Sequence, residues 1–199
     1  KGQVLDGKVV GSIQAGRIRI HSTDDRATIT AQSANLQAKE VDITAGNANL
    51  NGRISRHTDR GKAKITHQNG VQAREHQSGS SETYQATRIQ AEQFDMNISG
   101  NLNIVGTDIQ AKNSNIRGGN VHLGAEKTVN LREHSKNQSK GSWYRNEQES
   151  NRVETTHRTT IAGDSVNIEA TKGKVTAEGA KVSAKTTAIY GEQGVNLRG

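Results

Sequence analysis

Residues 109–131 read IQAKNSNIRGGNVHLGAEKTVNL, and the spacing of the aliphatic residues in this stretch decides the fold. These residues are separated by polar residues and glycine, and they are Ile109, Ile116, Val121, Leu123, Val129 and Leu131. The same spacing recurs, with one apolar position missing, at Val175, Val182, Thr187, Ile189, Val195 and Leu197. An earlier partial copy holds Ile29, Leu36, Val41 and Ile43, after which Leu50 falls out of frame. Such self-similarity indicates stacked repeats that bury their apolar faces against one another.

Within the repeats apolar and polar residues alternate, as in Val121-His122-Leu123, which is the period of a strand with one buried face. Between Leu102 and Val121 there is room for one coil of roughly twenty residues with three short strands. The pattern therefore predicts an all-β chain that forms a parallel β-helix, or solenoid. Its recurring asparagines either face outward or form ladders in turns. A β-sandwich is the alternative fold, but an aromatic content of 3% favours the narrow solenoid core.

The composition excludes an ordinary globular core. Only 30% of the 199 residues are hydrophobic, and the mean hydropathy is −0.83. Disorder is disfavoured because proline is absent and the aliphatic residues are regularly placed and mostly β-branched. No apolar run is long enough to span a membrane, and no leader peptide is visible. Repeat-like sequence at both ends, Gly2–Leu5 and Gly194–Leu197, predicts that residues 1–199 are one β-helix fragment of a longer protein.

Two polar stretches, about 53–93 and about 133–160, interrupt the aliphatic spacing. Each has a glycine-bearing turn candidate, Gly79 in the first stretch and Gly141-Ser142 in the second. We predict that they are polar β-hairpin excursions from the solenoid, or loops if the strands fail to pair. Specificity usually lies in such excursions from a repeat scaffold.

Three segments resemble a known family: Gly100–Ala111, Gly118–Ala125 and Val129–Leu131. They are similar to the haemagglutinin repeat region of filamentous-haemagglutinin-like exoproteins of Gram-negative bacteria. That family includes contact-dependent growth inhibition effectors, adhesins and haemolysins. The resemblance implies a right-handed parallel β-helix, secretion through a dedicated outer-membrane two-partner transporter, and a place at the bacterial cell surface.

The resemblance further implies partners and a role. The partners would be a receptor or glycan on a host or neighbouring cell, with outer-membrane contact during delivery. The segment would be a non-catalytic fibre shaft that supports adhesion or presents a C-terminal toxin, although no toxin is visible here. Absence of cysteine and proline suits export of an unfolded chain, because neither disulfides nor slow X-Pro isomers delay its folding.

Other chemistry has weaker support. A carbohydrate-active β-helix enzyme would need convergent carboxylates, but Asp24-Asp25 is explained by a turn, and so are Asp95, Asp108 and Asp164. Five of the seven histidines lie in the excursions without metal-ligand spacing, so we expect no metal and no cofactor. The net charge of +7 is scattered, which favours a solvated surface over polyanion binding and predicts no specific nucleic-acid partner.

The pair Trp143-Tyr144 is the one candidate interaction site. These aromatic residues lie in an otherwise hydrophilic excursion. Either they cap the solenoid or pack on the partner strand of the hairpin, or they contact a glycan, a membrane interface or another chain.

Overall fold

The computed structural model describes residues 6–199, and every helix or strand element among them is a β-strand. The repeat-like residues Gly2–Leu5 lie outside the described residues. In chain order the strands are β1 (Gly7–His21), β2 (Thr28–Ala45), β3 (Asn47–Asn51), β4 (Arg53–Asp59), β5 (Lys64–Gln68), β6 (Val71–Gln85), β7 (Arg88–Ile98), β8 (Asn101–Val105), β9 (Asp108–Gly118), β10 (Asn120–Gly124), β11 (Glu126–Lys140), β12 (Trp143–His157), β13 (Thr159–Ala170), β14 (Val175–Glu178), β15 (Ala180–Gly191) and β16 (Val195–Arg198).

The chain forms two compact units. The first comprises the described residues up to Arg53 together with Gln85–Glu126 and His157–Gly199, and the second comprises Ile54–Tyr84 and Lys127–Thr156. In the first unit a sheet of parallel strands runs β15-β13-β9-β7-β2-β3-β8-β10-β14-β16, and β1 pairs with β2. This topology confirms the predicted parallel β-helix and excludes the β-sandwich.

Each coil of the β-helix lies on the next with its apolar residues in register. Leu102 is the register partner of Val121, as the predicted coil length requires, and Val121 in turn partners Val175. We number the coils from the N-terminus. The first coil contains β1, the second β2, the third β3 and β7, the fourth β8 and β9, the fifth β10 and β13, and the sixth β14 and β15. Strand β16 follows the sixth coil. The core is a set of columns of stacked side chains, one of which contains Leu36, Ile89, Ile109 and Ile161.

The structural equivalences differ from those suggested by the sequence spacing, which was wrong on this point. Val175 stacks on Val121 rather than occupying the place of Ile109, whose partner in β13 is Ile161. Val129 and Leu131 lie in β11, outside the β-helix sheet. The reason is that the strands within one coil have similar apolar spacing, so a shift by one strand preserves the pattern.

The recurring asparagines form outward-facing ladders and turn ladders. On one outer face the Asn115 amide donates to Asp95 at 3.1 Å, and the Asn167 amide donates to Asn115 at 3.1 Å. In the turn before β8 and β10, the Asn101 backbone N–H donates to the Asn47 side chain, and the Asn120 amide donates to the Asn101 side chain. Both alternatives left open by the sequence therefore occur.

At one corner of the β-helix, successive coils alternate between a tight turn and an inserted segment. In the second, fourth and sixth coils a single residue of positive φ makes the corner: Ser33 (φ 52°), Gly106 (φ 53°) and Gly179 (φ 70°). In the third and fifth coils the chain instead leaves after Gly52 and after Ala125, and returns at Thr87 and Thr159. We call residues 53–86 the first insertion and residues 126–158 the second insertion.

Buried threonines close the corner where each insertion returns. The Thr87 hydroxyl donates to the Asn51 carbonyl at 2.6 Å and accepts from the Ala34 N–H at 3.1 Å. The Thr159 hydroxyl donates to the Gly124 carbonyl at 2.7 Å and accepts from the Thr107 N–H at 3.4 Å. Each hydroxyl thereby satisfies a carbonyl of its own, interrupted coil and an N–H of the preceding coil.

The second unit is an antiparallel sheet built from both insertions. Its order is β12-β11-β6-β4, and β5 also pairs with β6. The predicted turn at Gly141-Ser142 is confirmed. The predicted turn at Gly79 is wrong, because β6 continues through it and the turn lies at Asn69-Gly70, where both residues have positive φ. A Cβ at Gly79 would come within 2.5 Å of the Leu131 carbonyl oxygen, so this glycine permits close approach of β11.

Candidate interaction surface

The predicted aromatic pair lies at the start of β12, beside the Gly141-Ser142 turn, and is exposed to solvent. Trp143 is 48% exposed and Tyr144 is 64% exposed. The Tyr144 hydroxyl lies 3.4 Å from the Asn137 side-chain oxygen, on the neighbouring strand β11. Tyr144 therefore touches the hairpin partner strand through its hydroxyl while most of its ring surface faces solvent.

A second exposed apolar residue and a cation share a sheet face with Tyr144. Ile65 is 54% exposed and is the register partner of Arg74, which in turn partners Asn137. Residues that are directly opposite in an antiparallel sheet point to the same side. Ile65, Arg74 and Asn137 therefore form one row across β5, β6 and β11, and the Tyr144 hydroxyl reaches the Asn137 end of that row.

The β5–β6 turn and the β11–β12 turn lie side by side at one end of this sheet. A Cβ built on Gly70 would be 3.5 Å from the Lys140 side chain, and Gln72 is the register partner of Ser139. We call residues 64–74 and 138–147 the hairpin end. It contains the cations Lys64, Arg74, Lys140 and Arg145 and a single acidic residue, Glu147.

Near β4, Glu82 ties the two insertions of the second unit together. Its carboxylate accepts the Val129 N–H at 2.7 Å and contacts the Arg56 guanidinium at 3.1 Å. Its own backbone N–H donates to the Asn130 side chain at 3.0 Å. The bond from Val129 is the main reason that the pKa of Glu82 is lowered, and the hydrogen bond from Arg56 adds to it.

An open depression of about 680 Å³ lies in the second unit around Gly79. His57, Asp59, His134 and Glu149 line it, together with hydroxyl and amide side chains. Among residues 6–199, no three His, Cys, Asp or Glu side chains come together as metal ligands. The lining residues other than Gly79 and Leu131 are polar types, and none of them is Phe, Trp or Tyr.

Two of the carboxylates considered for carbohydrate chemistry, Asp24 and Asp164, pair with neighbouring cations. Asp24 is engaged by Arg26, whose side chain and backbone N–H donate to it and lower its pKa. The Asp164 carboxylate pairs with the Lys185 ammonium at 3.6 Å.

A groove on one outer face of the β-helix does contain carboxylates, Asp95 and Glu169. Asp95 accepts hydrogen bonds from Gln93 and Asn115, and Glu169 pairs with Arg117 at 3.1 Å. Both side chains thus belong to ladders that join one coil to the next. No specific observation here favours hydrolytic chemistry over this structural role.

Residues 141–199 match the family model described as Hemagglutinin repeat. This C-terminal segment is therefore similar to the haemagglutinin repeat of filamentous-haemagglutinin-like proteins. The match begins at the β11–β12 turn, so it includes β12 with Trp143 and Tyr144 as well as the last coils of the β-helix. Hemagglutinin-repeat proteins are in general secreted surface proteins of two-partner secretion systems, and the family is structural or adhesive rather than catalytic.

No curated protein and no solved structure shows significant similarity to this chain. No helix that could cross a membrane is found between residues 6 and 199.

Sequence reasoning located the aromatic pair but missed Glu82 and the neighbouring hairpin turn. Asn69-Gly70 is a strong hairpin signal and could have been found from the sequence. Glu82 carries no local signal, because its partners Val129 and Asn130 are distant in the chain.

Proposed function

We propose that this chain is a non-catalytic segment of a secreted bacterial surface exoprotein. In this proposal the β-helix is a shaft, and the antiparallel sheet of the second unit makes contact with a host cell or a neighbouring bacterium. The contact supports adhesion, or it supports delivery of a C-terminal toxin in contact-dependent inhibition. Export requires an outer-membrane two-partner transporter.

The observation that carries the proposal is a difference in side-chain exposure between the two units. Large side chains of the inner coils, such as Phe94 and Ile109, are fully buried in stacked columns, whereas β12 is exposed along nearly its whole length. Trp143 and Tyr144 belong to that exposed strand. Exposed aromatic residues are favoured at contact sites because they bury a large area with little loss of side-chain entropy.

The alternating corner supplies an experiment that removes the second unit. In the fourth coil, Val105-Gly106-Thr107 makes the corner without an insertion. Deleting residues 53–86 creates Asn51-Gly52-Thr87, and deleting residues 126–158 with Ala125→Gly creates Gly124-Gly-Thr159. Both links reproduce the native corner and keep the buried threonines.

The doubly deleted protein, expressed as the full-length exoprotein, is expected to be secreted with its β-helix circular dichroism intact. Adhesion or contact-dependent killing should be lost. Loss of adhesion alone would indicate an adhesin, and loss of killing with adhesion retained would indicate delivery. Normal adhesion together with normal killing would contradict the proposal and make the second unit dispensable.

A further inference from the structure

We propose that the hairpin end of the second unit is a docking surface for anionic lipid membranes. This inference rests on the proposed function for its biological setting, because it names the chemistry of the surface that the second unit contacts. Its evidence is the composition and geometry of residues 64–74 and 138–147.

The first argument is the exposed apolar area. Ile65, Trp143 and Tyr144 are each about half exposed or more and lie on strands that end at neighbouring turns. Ile65 begins a row that ends at Asn137, and the Tyr144 hydroxyl contacts Asn137 on the same sheet face. Trp143 precedes Tyr144 in β12, and successive residues of a strand point to opposite faces. The end of the sheet therefore has apolar groups on both of its sides.

The second argument is the charge. The hairpin end has four cations and one anion, a net charge of +3. Arg145 pairs with Glu147 at 2.7 Å. Within the described part of the chain, Lys64, Arg74 and Lys140 have no ion-pair partner. Lys64 is the register partner of Glu75, whose carboxylate pairs with Lys136, so the uncompensated cations are Arg74 and Lys140. Together with the exposed tryptophan and tyrosine, these two cations match the requirements of an anionic bilayer surface.

A bilayer fits this combination better than a soluble polyanion does. Tryptophan and tyrosine prefer the headgroup region, where the ring is partly buried and the polar group stays hydrated. Lysine and arginine nearby are attracted by acidic headgroups. A soluble acidic glycan would use the cations but would leave Ile65 and most of the two rings in water.

Trp143 is the single tryptophan of the chain, so its fluorescence reports on the hairpin end directly. Residues 1–199 would be titrated with vesicles of phosphatidylcholine, and with vesicles of an equal mixture of phosphatidylcholine and phosphatidylglycerol. The mixed vesicles should shift the emission to shorter wavelength and should bind about tenfold more tightly or better. Added salt should weaken the binding.

Two variants separate the contributions of charge and aromatic surface. K64E/K140E keeps the tryptophan reporter and should weaken binding to the mixed vesicles by about tenfold or more. W143S/Y144S, measured by vesicle co-sedimentation, should also lose most of the binding. V153S is the matched control, because Val153 is 50% exposed on the same strand but lies outside the hairpin end. Circular dichroism of each variant checks that the sheet is retained.

The proposal is overturned if the chain binds neither vesicle, if both vesicles bind equally, or if V153S weakens binding as much as W143S/Y144S. Binding of heparin at similar affinity without a shift in emission would also overturn it, since that result indicates recognition of charge alone. Vesicle binding does not depend on secretion or killing. Failure here therefore leaves the deletion experiment on the proposed function unaffected, and the reverse is also true.

Discussion

The side-chain carboxylate of Glu82 accepts the backbone N–H of Val129 at 2.7 Å, and this bond joins the first insertion to the second. The Glu82 side chain is 12% exposed, and its carboxylate contacts Arg56 on β4. One side chain thus links three strands of the second unit. The bond from Val129 uses the charged form of Glu82, which is why the pKa of this residue is lowered.

Glu82→Gln should loosen the second unit and remove part of its acid sensitivity. Because the folded pKa lies below the unfolded one, the ionised carboxylate stabilises the folded chain at pH values above the unfolded pKa. That stabilisation is lost as the pH falls through the folded pKa. Hydrogen exchange of the Val129 amide should therefore quicken at acidic pH in the wild type, and should be fast and nearly independent of pH in the variant once intrinsic exchange is corrected. Identical protection in both proteins would show that the bond is unimportant.

Thr87→Val should destabilise the β-helix although valine has nearly the same shape. The substitution leaves the Asn51 carbonyl and the Ala34 N–H without the buried hydroxyl that they share. An unpaired buried polar group costs about 1–3 kcal/mol, measurable by chemical denaturation. Thr87→Ser should restore much of the loss. Thr186→Val, at an exposed position, is the control and should be nearly neutral. An equal effect of both valine substitutions would argue against the role of the corner.

Ser114→Ala should stabilise the chain. Ser114 is fully buried, and its hydroxyl has no hydrogen-bond partner within the described residues. It is the register partner of Phe94, so a small residue stacks beside the large ring. Alanine keeps the small volume and removes the unpaired hydroxyl, for a gain of roughly 1 kcal/mol in the free energy of unfolding. A lower melting temperature for this variant would mean that the hydroxyl is satisfied after all.

Phe94→Ala should have the opposite effect, because it removes a fully buried ring from the same column. The cost should be about 3–5 kcal/mol by denaturant titration. Val10→Ala, at a residue that is 59% exposed, is the control and should change stability little. A small effect at Phe94 would contradict the tight packing of the column.

Gly79→Ala should weaken the pairing of β6 with β11. The new Cβ would meet the Leu131 carbonyl oxygen at 2.5 Å, and a backbone atom cannot move aside without distorting the strand. We expect a loss of roughly 1–3 kcal/mol and faster hydrogen exchange in β11. Gly16→Ala is matched by residue type and has nothing within 4 Å of the added atom, so it should be tolerated. If both variants unfold alike, the close approach at Gly79 is not what requires glycine.

The fold was predictable because it depends on a short-range pattern. Alternation such as Val121-His122-Leu123 sets which side chains enter the core, and the distance from Leu102 to Val121 sets the length of a coil. The assignment of each strand to its column was less accessible, since Ile109 and Val175 have similar neighbours but occupy different columns. Columns are defined by pairing across coils, which a local pattern does not encode.

The candidate site was only partly predictable. The exposure of Trp143 and Tyr144 follows from their polar surroundings in the sequence, but their closeness to the other hairpin turn depends on the pairing of β6 with β11. The neighbours Ile65 and Arg74 are far from them in the chain. The bounds of the excursions, about 53–93 and 133–160, and the status of residues 1–199 as a single fragment stay predictions. The role of Trp143 and Tyr144 as a contact also stays a prediction.

The corner that accepts an insertion in the third and fifth coils is closed by one residue of positive φ in the second, fourth and sixth coils. A stretch of thirty or so residues can consequently be gained or lost there without altering a single stacked side chain. Sequence changes in the inserted strands can then be selected independently of sequence changes in the stacked columns. In such a chain the inserted strands can diversify quickly while the stacked coils drift slowly, and an engineered cargo placed between Gly52 and Thr87 would benefit from the same independence.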